Sequence, residues 1–162
     1  MTRTMRGDYV LVEHLRSGGA GDVHVAHPVG RPDHHLAVKL LRLDAEHGEE
    51  DAARLRREAR ILGDIAHPHL LRCLDTGATE DGRPYAVFPL ASGGSLSARL
   101  TAGVPGAPVA ARRIVDAISD AVGTLHAADI IHCDVHPGNM LIMEGSSSDA
   151  AARLLDDDEG LA

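Results

Sequence analysis

Aromatic residues and cysteines are scarce in this sequence. Only 2% of its 162 residues are aromatic, with no tryptophan, although 44% are hydrophobic. A folded core must therefore consist of leucine, isoleucine, valine and alanine. The two cysteines, Cys73 and Cys133, lie in a predicted strand and a predicted loop, and a disulfide between them is not expected in a reducing compartment.

Long hydrophobic runs and an excess of positive charge are also absent. No run approaches the roughly 18 apolar residues of a membrane helix, and residues 1–6 lack the apolar region of a signal peptide. The net charge of −8 argues against nucleic acid or an anionic membrane as a partner. We therefore expect one soluble, cytoplasmic globular domain, which could bury roughly 70% of its unfolded surface.

Lysine occurs once, at Lys39, beside fifteen arginines. A composition so rich in arginine and alanine suggests a GC-rich genome, in which a lysine is easily replaced unless its chemistry is required. Lys39 interrupts the apolar run 36–41, which predicts a strand. Its ammonium group could serve a function, or it could extend into water beyond a buried stem.

The most informative pattern is the segment 132–139, in which Asp134 precedes Asn139 by five residues. Phosphoryl transfer needs a carboxylate at the attacking hydroxyl and an amide oxygen on a metal ion a short loop away. A strand is predicted at 140–142. A later apolar pair, 154–155, leads directly into Asp156, a second candidate metal ligand.

This loop resembles the catalytic loop of the protein kinase superfamily, in the form of bacterial eukaryotic-like Ser/Thr protein kinases. The resemblance implies that Asp134 orients the acceptor hydroxyl and takes its proton, while Asn139 and Asp156 hold Mg²⁺. It also implies that Lys39 contacts the α- and β-phosphates of ATP. His132 would then brace the loop backbone.

Residues 15–23 resemble the glycine-rich loop between the first two strands of that family. Small residues let backbone N–H groups approach phosphate oxygens closely. Gly18 and Gly21 remain of the three-glycine pattern, with Arg16 at the first position; a plain hairpin turn is the alternative. No Gly-Lys-Ser/Thr follows, which argues against a P-loop NTPase, and no helix pattern follows, which argues against a dinucleotide-binding unit.

A helix is predicted over 49–65, because apolar residues recur there at helical spacing. By resemblance, Glu58 on this helix pairs with Lys39; a solvated glutamate is the alternative. Residues 67–71 are similar to the turn that follows this helix in protein kinases.

The adenine-binding residues are implied by the same resemblance. Residues 83–88 read as a strand, and 89–96 resemble the hinge and the start of the next helix. Phe88 would be the gatekeeper and Ala91 the backbone donor to adenine. Val23 and Ala37 complete the cofactor-binding set.

Three positions depart from the protein kinase pattern. Cys133 replaces the arginine that docks a phosphorylated activation loop. His136, a candidate catalytic residue, replaces a lysine and carries less permanent positive charge than a lysine would. The metal-binding Asp-Phe-Gly reads Asp156-Asp157-Asp158, with Asp158 as the alternative ligand.

These departures resemble small-molecule kinases of the aminoglycoside and choline type, whose loop has the form Asp-x-His-Pro-Gly-Asn. The upstream patterns favour a protein kinase, which remains the first interpretation. A non-catalytic nucleotide-binding or interaction module is the third. A zinc site built on His132, Cys133 and His136 is disfavoured, because no second Cys/His cluster completes it.

The sequence thus predicts an α+β, protein kinase-like bilobal fold. A small antiparallel sheet lobe with one helix would span 7–91, with strands near Val10, Val23, Val38, Leu71 and Val87. An incomplete helical lobe would span 92–162 and contain a long helix at 110–127.

The chain ends shortly after Asp156, so the resemblance covers only the first part of the family's domain. We therefore expect weak Mg·ATP binding and little transfer. The acceptor would be a Ser/Thr hydroxyl of a protein or a small-molecule hydroxyl. The apolar face of the 110–127 helix would be partly uncovered and open to a partner or to self-association.

Overall fold

A computed structural model describes residues 3–5, 8–18, 21–42, 48–103, 108–143 and 151–154 of the chain. In chain order the elements are β1 (Arg3–Met5), β2 (Tyr9–Ser17), β3 (Gly21–Pro28), β4 (Leu36–Leu41), α1 (Gly48–Asp64), β5 (Asp75–Ala78), β6 (Pro84–Pro89), α2 (Leu96–Thr101), α3 (Pro108–Ala127), β7 (Met140–Met143) and β8 (Ala151–Leu154). They form two compact units. Unit 1 comprises Met1–Asp64 and Arg72–Leu90, and unit 2 comprises Ile65–Leu71 and Ala91–Ala162.

Unit 1 is an antiparallel sheet in the order β1-β2-β3-β4-β6-β5. One face of the sheet carries a buried apolar cluster. Leu36, Val38 and Leu40 of β4 belong to it, because every second residue of a strand points to the same face. Helix α1 contacts β5 and β6, and its apolar stripe, spaced as predicted, is buried. The cluster consists of Leu11, Ala26, Leu36, Val38, Leu40, Tyr85 and Val87, and the stripe of Ala52, Leu55, Ala59 and Leu62.

Strand β2 contains two β-bulges, between Leu11 and Glu13 and between His14 and Arg16. The residue inserted at each bulge, Val12 or Leu15, has no partner in the register with β3. Their side chains are 58% and 46% exposed. Both inserted residues are apolar, and both are exposed, as is the rest of β2 from Val12 to Ser17.

Unit 2 is built on the long helix α3, which packs against the two-stranded sheet of β7 and β8. Its buried cluster contains Leu70, Ile118, Ala121, Leu125, Ile142 and Leu154. Ile114 and Val122 of the same helix are partly buried against this cluster, whereas Val115 is 60% exposed. Most of the apolar stripe of α3 is therefore covered within unit 2.

The predicted fold class is confirmed, and so are the strands around Val10, Val23, Val38 and Val87. The prediction of a strand at Leu71 is wrong. The Leu71 N–H donates to the Leu154 carbonyl, next to an isolated parallel bridge between Leu70 and Leu154. This pairing holds the segment against β8 in unit 2. Strand β5 begins only at Asp75, so Cys73 also lies outside a strand.

Within the described ranges, no helix combines the length and apolar character that crossing a membrane would need.

Candidate active site

Four of the predicted cofactor-binding residues lie on one face of the unit 1 sheet. Val23 is directly opposite Lys39 across β3 and β4, and Ala37 is opposite Phe88 across β4 and β6. Directly opposed residues project to the same face, and Ala37 and Lys39 share a face because they are two residues apart. This face is the reverse of the one that carries the buried cluster, because Val38 points the other way.

Lys39 is buried, with only 6% of its surface exposed. Interior lysines are rare unless a charged or polar group compensates the ammonium. The burial therefore disfavours the alternative of a side chain that extends into water. The side chain of Glu58 lies outside the described residues, so its pairing with Lys39 stays a prediction.

The two described ends of the glycine-rich segment are closed by a hydrogen bond from the Gly18 N–H to the Gly21 carbonyl (2.8 Å). A Cβ at Gly21 would collide with the Leu40 carbonyl oxygen of β4, whereas a Cβ at Gly18 would meet only the Gly21 oxygen at 3.9 Å. A glycine is therefore required at position 21, because β3 and β4 approach each other closely there. The glycine-rich motif alone does not reveal this reason.

Ala91, the predicted adenine partner, begins the second segment of unit 2. Its carbonyl accepts a hydrogen bond from the Gly94 N–H (3.1 Å) in the turn that precedes α2. Ser95 caps that helix by accepting from the Ala98 N–H (3.2 Å). The prediction that a helix starts at the end of residues 89–96 is confirmed, because α2 begins at Leu96.

The segment 132–139 brings the predicted catalytic side chains into contact. Asn139 is 1% exposed, and its Nδ2 donates to Asp134 Oδ2 (2.7 Å) and to the Asp134 carbonyl (3.2 Å). The Asn139 N–H in turn donates to the His136 carbonyl (3.0 Å). The carboxylate is therefore held by a buried amide, with 38% of its side chain exposed.

The orientation of Asn139 bears on metal binding. Because its nitrogen is bonded to Asp134, its amide oxygen is the atom that could bind a cation, and Mg²⁺ prefers oxygen ligands. The donor chemistry of Asn139 therefore fits the predicted role. Asp156 and Asp158 lie outside the described residues, so the choice between them stays a prediction.

His136 lies against both the catalytic carboxylate and a glycine. Its Nε2 is 3.4 Å from Asp134 Oδ2, and its Nδ1 accepts the Gly138 N–H (3.0 Å). A Cβ at Gly138 would lie 2.5 Å from His136 Cε1. Glycine at 138 therefore makes room for the ring, a requirement that the sequence did not show.

His132 is 3% exposed, and its Nδ1 accepts the Asp134 N–H (3.3 Å). The prediction that it braces the loop backbone is confirmed. The next residue, Cys133, has a φ of 58°, an uncommon conformation for a residue other than glycine. In the described part of the chain, no group of three His, Cys, Asp or Glu side chains could hold a metal ion.

Sequence reasoning missed a polar cluster beside the glycine-rich segment. Asp22 at the start of β3 pairs with Arg42, which directly follows β4. His14 and Ser17 of β2 complete the cluster. Opposite charges at adjoining ends of a predicted hairpin are the signal that could have found it.

Comparisons with known proteins agree on one family. Residues 9–156 match the family described as the protein kinase domain. The serine/threonine-protein kinase PrkC of Bacillus subtilis (strain 168) is 31% identical over 140 residues, which cover 86% of this chain and 21% of PrkC. The serine/threonine-protein kinase PknE of Mycobacterium tuberculosis (strain ATCC 25618 / H37Rv) is 35% identical over 153 residues, which cover 94% of this chain and 26% of PknE.

Among solved structures, the kinase domain of Mycobacterium tuberculosis PknI superposes with a TM-score of 0.71 at 24% identity, a likeness that bears on the fold alone. The superposition covers 95% of this chain and 60% of the PknI chain. The chain thus spans about a fifth to a quarter of the length of the two curated relatives.

Proposed function

Because the chain belongs to the protein kinase domain family, we propose that it binds Mg·ATP and transfers the γ-phosphoryl group to Ser/Thr hydroxyls of a protein substrate. In this proposal, residues 7–91 form the nucleotide lobe and residues 92–162 form part of the helical lobe. Each unit contributes its own set of side chains.

The observation that carries the proposal is the contact between Asn139 and Asp134. The amide engages Oδ2 and the backbone carbonyl of Asp134. Among the described residues, Oδ1 of Asp134 accepts no hydrogen bond from another side chain or backbone group. That oxygen can orient an acceptor hydroxyl and take its proton, the role of the general base in this family.

Unit 1 would supply most of the nucleotide contacts, and Ala91 of unit 2 would supply one more. Lys39 would bind the α- and β-phosphates, with Glu58 positioning it. The backbone at Gly18 and Gly21 would lie close to the phosphates. Val23, Ala37, Phe88 and the backbone of Ala91 would contact adenine.

A divalent cation would neutralise charge on the phosphates when bound. Asn139 and Asp156 are the residues proposed to hold it. The buried amide fits this role, since its nitrogen is engaged and its oxygen remains for the ion.

A second candidate, a small-molecule phosphotransferase, is favoured by one observation. The ring of His136 packs on Gly138 and accepts its N–H. The His-Pro-Gly spacing that resembles the aminoglycoside and choline kinases therefore forms a defined contact in this loop.

The test is transfer of radiolabel from γ-labelled ATP to generic protein substrates, and separately to aminoglycosides or choline. We expect a low level of label in protein, lost in Asp134→Asn and retained at that level in the matched control Asp129→Asn, an exposed aspartate preceding the loop. Label in the small molecules alone would favour the second candidate. Nucleotide binding without any transfer would favour a non-catalytic module, open to protein partners or self-association.

A further inference from the structure

The glycine-rich segment is flanked by a polar cluster of four residues, His14, Ser17, Asp22 and Arg42, which we call the loop clasp. Arg42 Nη2 donates to Asp22 Oδ1 (2.9 Å). His14 Nε2 lies 3.0 Å from Ser17 Oγ and 3.7 Å from Asp22 Oδ1. Residues of β2, of β3 and of the end of β4 therefore meet at the Asp22 carboxylate.

The loop clasp lies at both ends of the glycine-rich segment, here residues 18–21. Ser17 and Asp22 are the last directly opposed pair of β2 and β3 before the glycine-rich segment. Asp22 is opposite Leu40, so its side chain projects to the face opposite that of Lys39. The clasp thus contacts the two ends of the segment from the sheet face opposite that of Lys39.

Arg42 ties those ends to β4, the strand that carries Lys39. The hydrogen bonds from Arg42 and then Ser17 hold the pKa of the Asp22 carboxyl well below its usual range, despite partial burial. Asp22 therefore stays charged at any working pH. The pair is partly exposed, at 43% for the Arg42 side chain and 25% for the Asp22 side chain, so a large effect on folding stability is not expected.

We propose that Asp22 and Arg42 are positioning residues for the nucleotide. They fix the ends of the glycine-rich segment relative to Lys39. The phosphate-binding amides of the segment and the Lys39 ammonium then act on the same ligand. This inference rests on the proposed nucleotide binding. Losing one charge-assisted hydrogen bond should weaken Mg·ATP binding about tenfold. Adenosine, which lacks phosphates, should be unaffected.

The experiment measures Mg·ATP and adenosine affinities of the whole chain by calorimetry, with melting temperatures recorded in parallel. Its variants are Asp22→Asn, Arg42→Gln and the exchange of Asp22→Arg with Arg42→Asp. The matched control is Asp116→Asn, which breaks a similar exposed pair, Arg112–Asp116 (3.0 Å), on α3. Melting temperatures should shift by less than about 4 °C.

We expect weaker Mg·ATP binding in both single variants, partial recovery in the exchange, unchanged adenosine affinity and a control equal to wild type. Wild-type Mg·ATP affinity in the exposed variant Arg42→Gln would overturn the inference, as would an equal loss of adenosine affinity. Absence of Mg·ATP binding by the folded wild-type chain would instead overturn the proposed function itself.

Discussion

At the scale of single residues, the two glycines that flank the glycine-rich segment have different structural roles. Gly21→Ala places a Cβ against the Leu40 carbonyl, whereas among the described residues the same change at Gly18 makes only an ordinary van der Waals contact with the Gly21 carbonyl. We expect Gly21→Ala to lower the free energy of unfolding by about 1–3 kcal/mol, a typical cost of overpacking. Gly18→Ala, measured alongside by urea denaturation, should change it by less than about 0.5 kcal/mol. Equal effects would contradict the close approach of β3 and β4.

His24 predicts a specific pH dependence of stability. Burial, followed by the neighbouring His14, lowers the pKa of His24 below its ordinary value, and Asp22 only partly opposes this. As pH falls through the unfolded pKa of about 6.5 toward the lower folded value, the unfolded chain binds more protons, so stability decreases. Below the folded pKa this contribution no longer changes.

His24→Gln should therefore lose less stability than wild type between pH 7.5 and pH 5.5 in urea titrations. The control His34→Gln, in the exposed β3–β4 loop, should follow wild type. Equal losses of stability in His24→Gln and wild type would show that burial of a neutral His24 does not cause the pH dependence of stability.

Residue spacing singled out Asp134 and Asn139, but it did not single out the Asp22–Arg42 pair. Asp134 and Asn139 meet because a five-residue turn brings them together, so local chain geometry is sufficient. The Asp22–Arg42 pair depends on the register between two strands, which spacing along the chain does not fix. The room that Gly138 gives to the His136 ring depends on a side-chain conformation that the sequence does not reveal.

At the scale of elements, helix α3 should be the main source of stability in unit 2. Leu125 is 2% exposed within its cluster, whereas Val115, on the same helix, is 60% exposed. We expect Leu125→Ala to cost about 2–5 kcal/mol and Val115→Ala less than about 0.5 kcal/mol. Circular dichroism during urea denaturation is a suitable measurement, since the chain has no tryptophan. A comparable cost for both would mean that the other face of α3 is the buried one.

Periodicity predicted α1, α3 and most strands, because each buries one face against its own unit. It failed at Leu71, where the segment joins β8 through one isolated parallel bridge formed by two backbone hydrogen bonds, from the Leu71 N–H to the Leu154 carbonyl and from the Leu154 N–H to the His69 carbonyl. It also missed β1, whose three residues pair with β2 without an apolar alternation of their own. In both cases long-range pairing decides the structure, and local sequence carries little of that information.

At the scale of the whole molecule, the proposed function depends on one property, which is binding of Mg·ATP through Lys39. Thermal melts of the 162-residue chain with and without Mg·ATP test it directly. Nucleotide at 100 times its dissociation constant should add about 2.7 kcal/mol of stability. The upward shift should be strongly reduced in Lys39→Met, which keeps an apolar stem in the buried site, and unchanged in the exposed control Arg31→Ala. A folded wild-type chain with no shift at millimolar nucleotide, or an undiminished shift in Lys39→Met, would contradict nucleotide binding through Lys39.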